Sequence, residues 1–211
     1  MKKLLCLCGL LAVLLILPVS AIQATSVTVA TFADPSGNAG DPLLTVNWTD
    51  STINGGWADI KSGLLLQIPI AGVSFADAWF EMDEITITNT MVFGGSKFGE
   101  TGEGQVRFYA AGSTTNPLLR IDFQKGMVGR QFVSAEDEDG LFYANNVTIT
   151  GSAIPFTLSY EQFSFSFANV TNLPNADGFT GTASFTSSAV PEPATVALLC
   201  IGALGLLRRK K

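Results

Sequence analysis

The chain predicts an all-β domain, a β-sandwich with the jelly roll as one form of it, flanked by an N-terminal signal peptide and a short C-terminal transmembrane helix. Three observations carry this expectation. Through the middle of the chain, short runs alternate apolar with polar or β-branched residues at a period of two, with turn residues between them. No stretch there repeats its apolar residues at the helical period of 3.6. Long apolar runs instead occupy the two ends, Leu4 to Leu17 and Ala194 to Leu207. The chain therefore divides into a signal peptide (1–21), a β-sandwich domain (22–186), a linker with a proline motif (187–193), a transmembrane helix (194–207) and a basic cytoplasmic tail (208–211).

At the N-terminus, Met1-Lys2-Lys3 supplies positive charge, Leu4 to Leu17 an apolar core, and Pro18-Val19-Ser20-Ala21 a break followed by small residues. That order is a secretory signal, which implies the secretion machinery and signal peptidase as partners. Cleavage after Ala21, with Val19 at the third position back, is the first choice, and cleavage after Ala24 the second. Cys6 and Cys8 lie too near the start to accept a lipoprotein anchor and leave with the signal. Cys200, the remaining cysteine, sits in the C-terminal apolar run, so the exported body carries no thiol and no disulfide.

The body is about 165 residues long, a common size for a single core. It holds seventeen of the chain's eighteen acids and six of its twelve bases, a net charge of −11. Such a surface repels nucleic acid and anionic lipid and keeps an extracellular protein in solution. Its phenylalanine content gives it enough large apolar groups to fold.

Ser26 to Phe32 alternates as a half-buried strand, and Asp34-Pro35 with Asp41-Pro42 supply turns. Leu43 to Trp48 reads as a second strand, Asn54-Gly55-Gly56 as a turn, and Gly63 to Ile70 as a buried strand. Glu84 to Phe93 is rich in β-branched residues and reads as a strand. Gly94 to Gly104 has five glycines, but no Gly-Lys-Ser or Gly-Lys-Thr follows and no helix opens, so it reads as a long hairpin loop and not a nucleotide site. Gln105–Ala110, Leu118–Gln124, Arg130–Val133, Leu141–Thr150, Ile154–Ala168 and Phe179–Phe185 continue the pattern, with Gly126 as a break. Phe163, Phe165 and Phe167 alternate with Ser164 and Ser166, which places three rings on one inner face.

Three groups in the body are candidates for chemistry. Trp79 to Ile85 resembles the catalytic strand of laminarinase-like glycoside hydrolases, where carboxylates on alternate residues aim at one face. The resemblance implies Glu81 and Asp83 as the acids. Glu84 points the other way by strand parity, and Ile85 or Thr86 stands where a third acid is expected. Glu136-Asp137-Glu138-Asp139-Gly140 offers four carboxylates to a hard cation, but an EF-hand register would place Ala135 first and Asn146 twelfth, which excludes that loop in its usual form. Trp48, Trp57, Trp79, Tyr109, Tyr143 and Tyr160 could stack on sugars as a carbohydrate-binding module does. With no histidine in the chain and no cysteine in the body, Ser-His-Asp, Cys-His and ordinary zinc sites are excluded. The sequons at Asn47, Asn146 and Asn169 are explained by chance. The expectation is a non-enzymatic body without metal or cofactor, structural or ligand-binding.

At the C-terminus, Ala194 to Leu207 would cover about 21 Å as a helix, against about 30 Å of hydrocarbon. Pro191 and Pro193 resist extension of that helix backwards, and Arg208, Arg209, Lys210 and Lys211 hold its end on the cytoplasmic side. The order of Pro191-Glu192-Pro193, apolar helix and terminal basic cluster resembles the PEP-CTERM sorting signal of Gram-negative bacteria. This resemblance covers about a tenth of the chain. It implies recognition by exosortase, a membrane protease or transpeptidase, and transient anchoring in the inner membrane. It further implies delivery to the cell surface or extracellular matrix, which would set the matured body beside extracellular polysaccharide as a partner.

Overall fold

The computed structural model describes residues 25–33, 42–56, 63–130 and 140–191. The expected signal peptide with Ala21, the three cysteines, Trp57, the acidic run 136–139, Glu192, Pro193 and the tail to Lys211 lie outside the described residues. Eleven strands follow in order: β1 (Val27–Ala33), β2 (Leu44–Asn47), β3 (Thr52–Gly55), β4 (Leu64–Ile68), β5 (Val73–Phe93), β6 (Ser96–Thr101), β7 (Gly104–Tyr109), β8 (Leu119–Arg130), β9 (Gly140–Thr150), β10 (Leu158–Asn172) and β11 (Gly178–Pro191). A 3-10 turn, Pro69–Ala71, joins β4 to β5. Among the described residues no helix is long and apolar enough to cross a membrane.

The pairing is antiparallel throughout and sequential. β1 and β2 run in one direction along the same side of β11. β3 and β4 likewise share one side of β5, and β6 and β7 share the space between β5 and β8. Eleven strands thus make eight up-and-down passes. Each pass pairs with the next, and β11 returns to β1 and β2, so the sheet closes on itself and every pass has a partner on both sides. Closure removes the exposed edges that invite aggregation. The all-β expectation holds, but the jelly-roll connectivity does not. One sheet forms because each pass turns back to lie beside the one before it, leaving no crossover of the kind a jelly roll needs.

The inside of this sheet is packed with rings. Phe80 on β5 meets Phe165 on β10, four passes away, with centroids 5.8 Å apart, and Phe108 on β7 meets Phe185 on β11 at 5.3 Å. Facing walls in direct contact leave no lumen at this level. Phe123, Phe142 and Phe163 extend the cluster at separations of 5.3 to 5.8 Å. The sequence alternation Phe163-Ser164-Phe165-Ser166-Phe167 is reproduced as buried rings with Ser164 and Ser166 on the other face. An apolar interior and a polar exterior are the reverse of a membrane-spanning barrel, whose lipid-facing side is apolar.

Several strand limits differ from the sequence reading, each for a physical reason. Asn54 and Gly55, expected in a turn, belong to β3. The expected long glycine loop is a two-residue turn, Gly94-Gly95, followed directly by β6. Both turn glycines have positive φ (59° and 84°), the requirement of a tight hairpin whose twist matches its strands. Gly126 does not break the chain but sits inside β8, where a Cβ would lie 2.7 Å from the Phe142 ring, so the glycine makes room for a core side chain. β11 runs on to Pro191, taking residues 187–191 of the expected linker into the sheet.

Candidate functional site

The acidic face of β5 owes its geometry to the pairing of β5 with β7. Glu81 lies opposite Arg107, whose guanidinium spans the pleat to reach both candidate acids. Arg107 Nε is 3.3 Å from Glu81 Oε2, and Nη2 is 2.5 Å from Asp83 Oδ1. The two carboxylates do share a face, as alternation requires, but they are engaged by one cation. Arg107 was not legible as their partner, because only the register of β7 against β5 brings it there. Burial of Tyr109 raises its phenol pKa; the Arg107 charge opposes this, and Glu81, by charge and hydrogen bond, reinforces it.

Glu84 departs from the parity expectation. Met82 and Ile85 are both buried, so the strand carries an extra residue between them, and Asp83 and Glu84 are both exposed. A register shift against β3 marks the same place. A bulge of this kind reverses the facing of everything beyond it. As a result Asp83 and Glu84 border an open cleft of about 470 Å³, together with Glu103, Gln105, Asp122 and Asn146. Asp122 is its most constrained acid. Burial pushes its pKa up, but hydrogen bonds from Arg120 and Gln105, with the charges of Arg120 and Arg107, hold it below the ordinary carboxylate value. Arg120 Nε and Nη2 reach the two Asp122 oxygens at 2.8 and 2.9 Å, and Gln105 Nε2 donates to Oδ1 at 2.6 Å. Among the described residues no group of three or more acids is placed to hold a metal ion.

Among the described residues the aromatic candidates do not assemble into one sugar-stacking platform. Trp48 is buried against Phe179 at 6.4 Å, with the Lys97 ammonium 5.1 Å from its ring. Lys97 also pairs with Asp177, so this tryptophan belongs to a packed corner of the fold. Trp79 and the buried Tyr109 face each other across β5 and β7. Tyr143 lies on the outer face of β9, its hydroxyl 3.1 Å from Met127 Sδ, and Tyr160 stands exposed near the start of β10. Core packing and sheet position separated residues that their chemistry alone would group.

The three sequon asparagines have structural work. The Asn47 side-chain oxygen accepts hydrogen bonds from the Thr49 and Asp50 amides, closing the turn between β2 and β3. Asn146 and Asn169 both adopt positive φ (52° and 50°), which asparagine tolerates better than most residues. Their amides reach Gln124 Oε1 at 3.1 Å and Thr182 Oγ1 at 2.9 Å.

The remaining candidate is the place where β11 ends. Ala189 pairs with Val27 on β1, and Pro191 with Leu158 on β10. The Val190 carbonyl also accepts from the Ser159 hydroxyl at 3.2 Å. The proline that opens the C-terminal motif is therefore itself paired within the barrel, half-buried and held by a strand on its flank. Both terminal segments leave from this one end of the sheet.

Comparison with known families matches the PEP-CTERM protein-sorting motif to residues 189–211. The chain thus carries that motif, and its first three residues, Ala189 to Pro191, lie inside β11. No curated protein and no solved structure matches the chain.

Proposed function

We propose that the chain is an exported protein sorted by an exosortase through its C-terminal motif, and that its body is a non-enzymatic barrel delivered to the cell surface or extracellular matrix. The observation that carries this reading is the sorting motif over residues 189–211, set against an acidic body that has no cysteine and stands between two apolar terminal segments. Signal peptidase removes residues 1–21, the tail holds the precursor in the inner membrane, and Arg208 to Lys211 keep its end cytoplasmic. Exosortase then acts around Pro191, Glu192 and Pro193.

A structural role for the body is favoured by a core filled with rings from facing walls, and by candidate acids committed to Arg107. Intact-mass analysis and fractionation in the native host, with and without the exosortase, tests the reading. A species running from near Ile22 to near Pro191 outside the cell, replaced by a membrane species ending at Lys211 when exosortase is absent, is the expected result. A species retaining Lys211 in the inner membrane of both strains overturns it.

The cleft beside Asp83 supports a second reading for the body. Its mixture of carboxylates and amides suits the hydroxyls of an extracellular polysaccharide. Titration calorimetry against a panel of matrix glycans tests this, and absence of heat across the panel returns the body to a purely structural role.

A further inference from the structure

The two ends of the barrel differ in charge. At the end where β1 begins and β11 finishes, the connections are residues 69–72, 110–118 and 151–157. These twenty residues, together with Thr25 and Ser26, contain no Asp, Glu, Lys or Arg. Two of the connections are joined, the Ser152 amide donating to the Pro117 carbonyl at 3.0 Å and the Ala153 amide to the Leu118 carbonyl at 3.1 Å, and the 3-10 turn of the third packs on β1 and β5. Phe156, 49% exposed, and Tyr160, 82% exposed, stand at this end. The first charges along the strands leading from this end include Arg120, Arg107 opposite it, Glu81 opposite Arg107, and Glu161, and in the sequence Glu192 follows Pro191. The connections at the other end carry Asp50, Asp177 and, by sequence, the acids Glu136 to Asp139.

The tether from this end to the apolar tail is short. Only Glu192 and Pro193 separate Pro191, paired with Leu158, from Ala194. Three chain steps span at most about 11 Å. The headgroup region adds about 5 to 8 Å to each side of the hydrocarbon, so a tail inserted from Ala194 draws this end of the barrel down to the lipid surface. For a body of net charge −11, an anionic leaflet favours approach by a face without carboxylates. Phenylalanine and tyrosine are suited to the headgroup level, where an apolar ring meets water.

We propose that in the tail-inserted precursor the uncharged end of the barrel, formed by residues 69–72, 110–118 and 151–157, is seated on the bilayer with Phe156 and Tyr160 at headgroup level, so that the acidic end points away. This rests on the sorting reading above, because it requires the tail to be inserted. The seat also presents Pro191 at the membrane surface, where a membrane-embedded processing enzyme can reach the residues that follow it.

The test uses the full precursor, purified from a host lacking exosortase and reconstituted in phosphatidylethanolamine–phosphatidylglycerol vesicles with brominated acyl chains. Tryptophan emission is compared among the parent, Phe156→Trp, Tyr160→Trp and, as the opposite-end control, Phe93→Trp, since Phe93 is 81% exposed on the distant hairpin. The added emission of Phe156→Trp or Tyr160→Trp should be quenched by brominated lipid, and that of Phe93→Trp should not. With the tail resistant to carbonate extraction, unquenched emission at both near positions, or equal quenching at all three, overturns the seat while leaving the sorting reading intact. A precursor that carbonate extracts overturns the insertion of the tail, and the seat with it.

Discussion

Replacing Phe165 by alanine tests the closed, ring-filled core at its centre. The side chain is fully buried and meets Phe32, Phe80, Phe142, Phe163 and Phe185 at centroid distances of 6.2, 5.8, 6.2, 5.9 and 5.3 Å. Phenylalanine-to-alanine changes in cores cost about 3–5 kcal/mol, the upper figures belonging to cavities that cannot collapse. Here the surrounding rings come from β1, β5, β9, β10 and β11, each hydrogen-bonded on both sides, so collapse would require moving a paired wall. The expected loss is therefore about 4–5 kcal/mol. For a domain of this size each kcal/mol lowers the melting temperature by about 2–4 °C, which predicts a fall of about 8–20 °C. Calorimetry and urea unfolding of the purified exported protein measure it. The exposed Phe93→Ala is the control, expected within about 0.5 kcal/mol of the parent. A loss for Phe165→Ala no larger than that of the control would refute the claim that facing walls share one packed core.

Two further outcomes follow from particular contacts. Gly126→Val places a branched side chain where a Cβ alone would lie 2.7 Å from the Phe142 ring and 2.8 Å from Thr101 Oγ1, and overpacking of this kind costs about 1–3 kcal/mol in urea unfolding. Asp122 has a folded pKa below its ordinary value of 3.8, so its stabilising contribution is fully present above that value and lost as pH falls through the folded pKa. The melting-temperature difference between the parent and Asp122→Asn should be largest near neutral pH, should vanish in strong acid and, at this partial exposure, should reflect about 1 kcal/mol or less.

Much of the body was legible in local pattern. Period-two alternation located β1, β9 and the Phe163–Phe167 row of β10, because one side of each strand must face the core wherever the strand pairs. Glycine misled where its reason was tertiary. Gly126 looked like a break and Gly99 like part of a loop, yet β8 and β6 run through them. The candidate acids show the same limit: their shared face was readable, but the bulge that exposes Glu84 and the cross-strand placement of Arg107 arise from pairing.

The sequence by itself determined the all-β class, the acidic charge of the body and the sorting motif at residues 189–211, since composition, period and a contiguous signal are properties of neighbouring residues. Tertiary structure alone decided that eight passes close into one sheet, that Pro191 lies in a paired strand, and that the uncharged connections gather where both terminal segments leave. Those facts depend on which strands meet across long sequence separations, and that choice is made by burying the apolar side chains of every pass, phenylalanines in all but the β3–β4 pass, in one core.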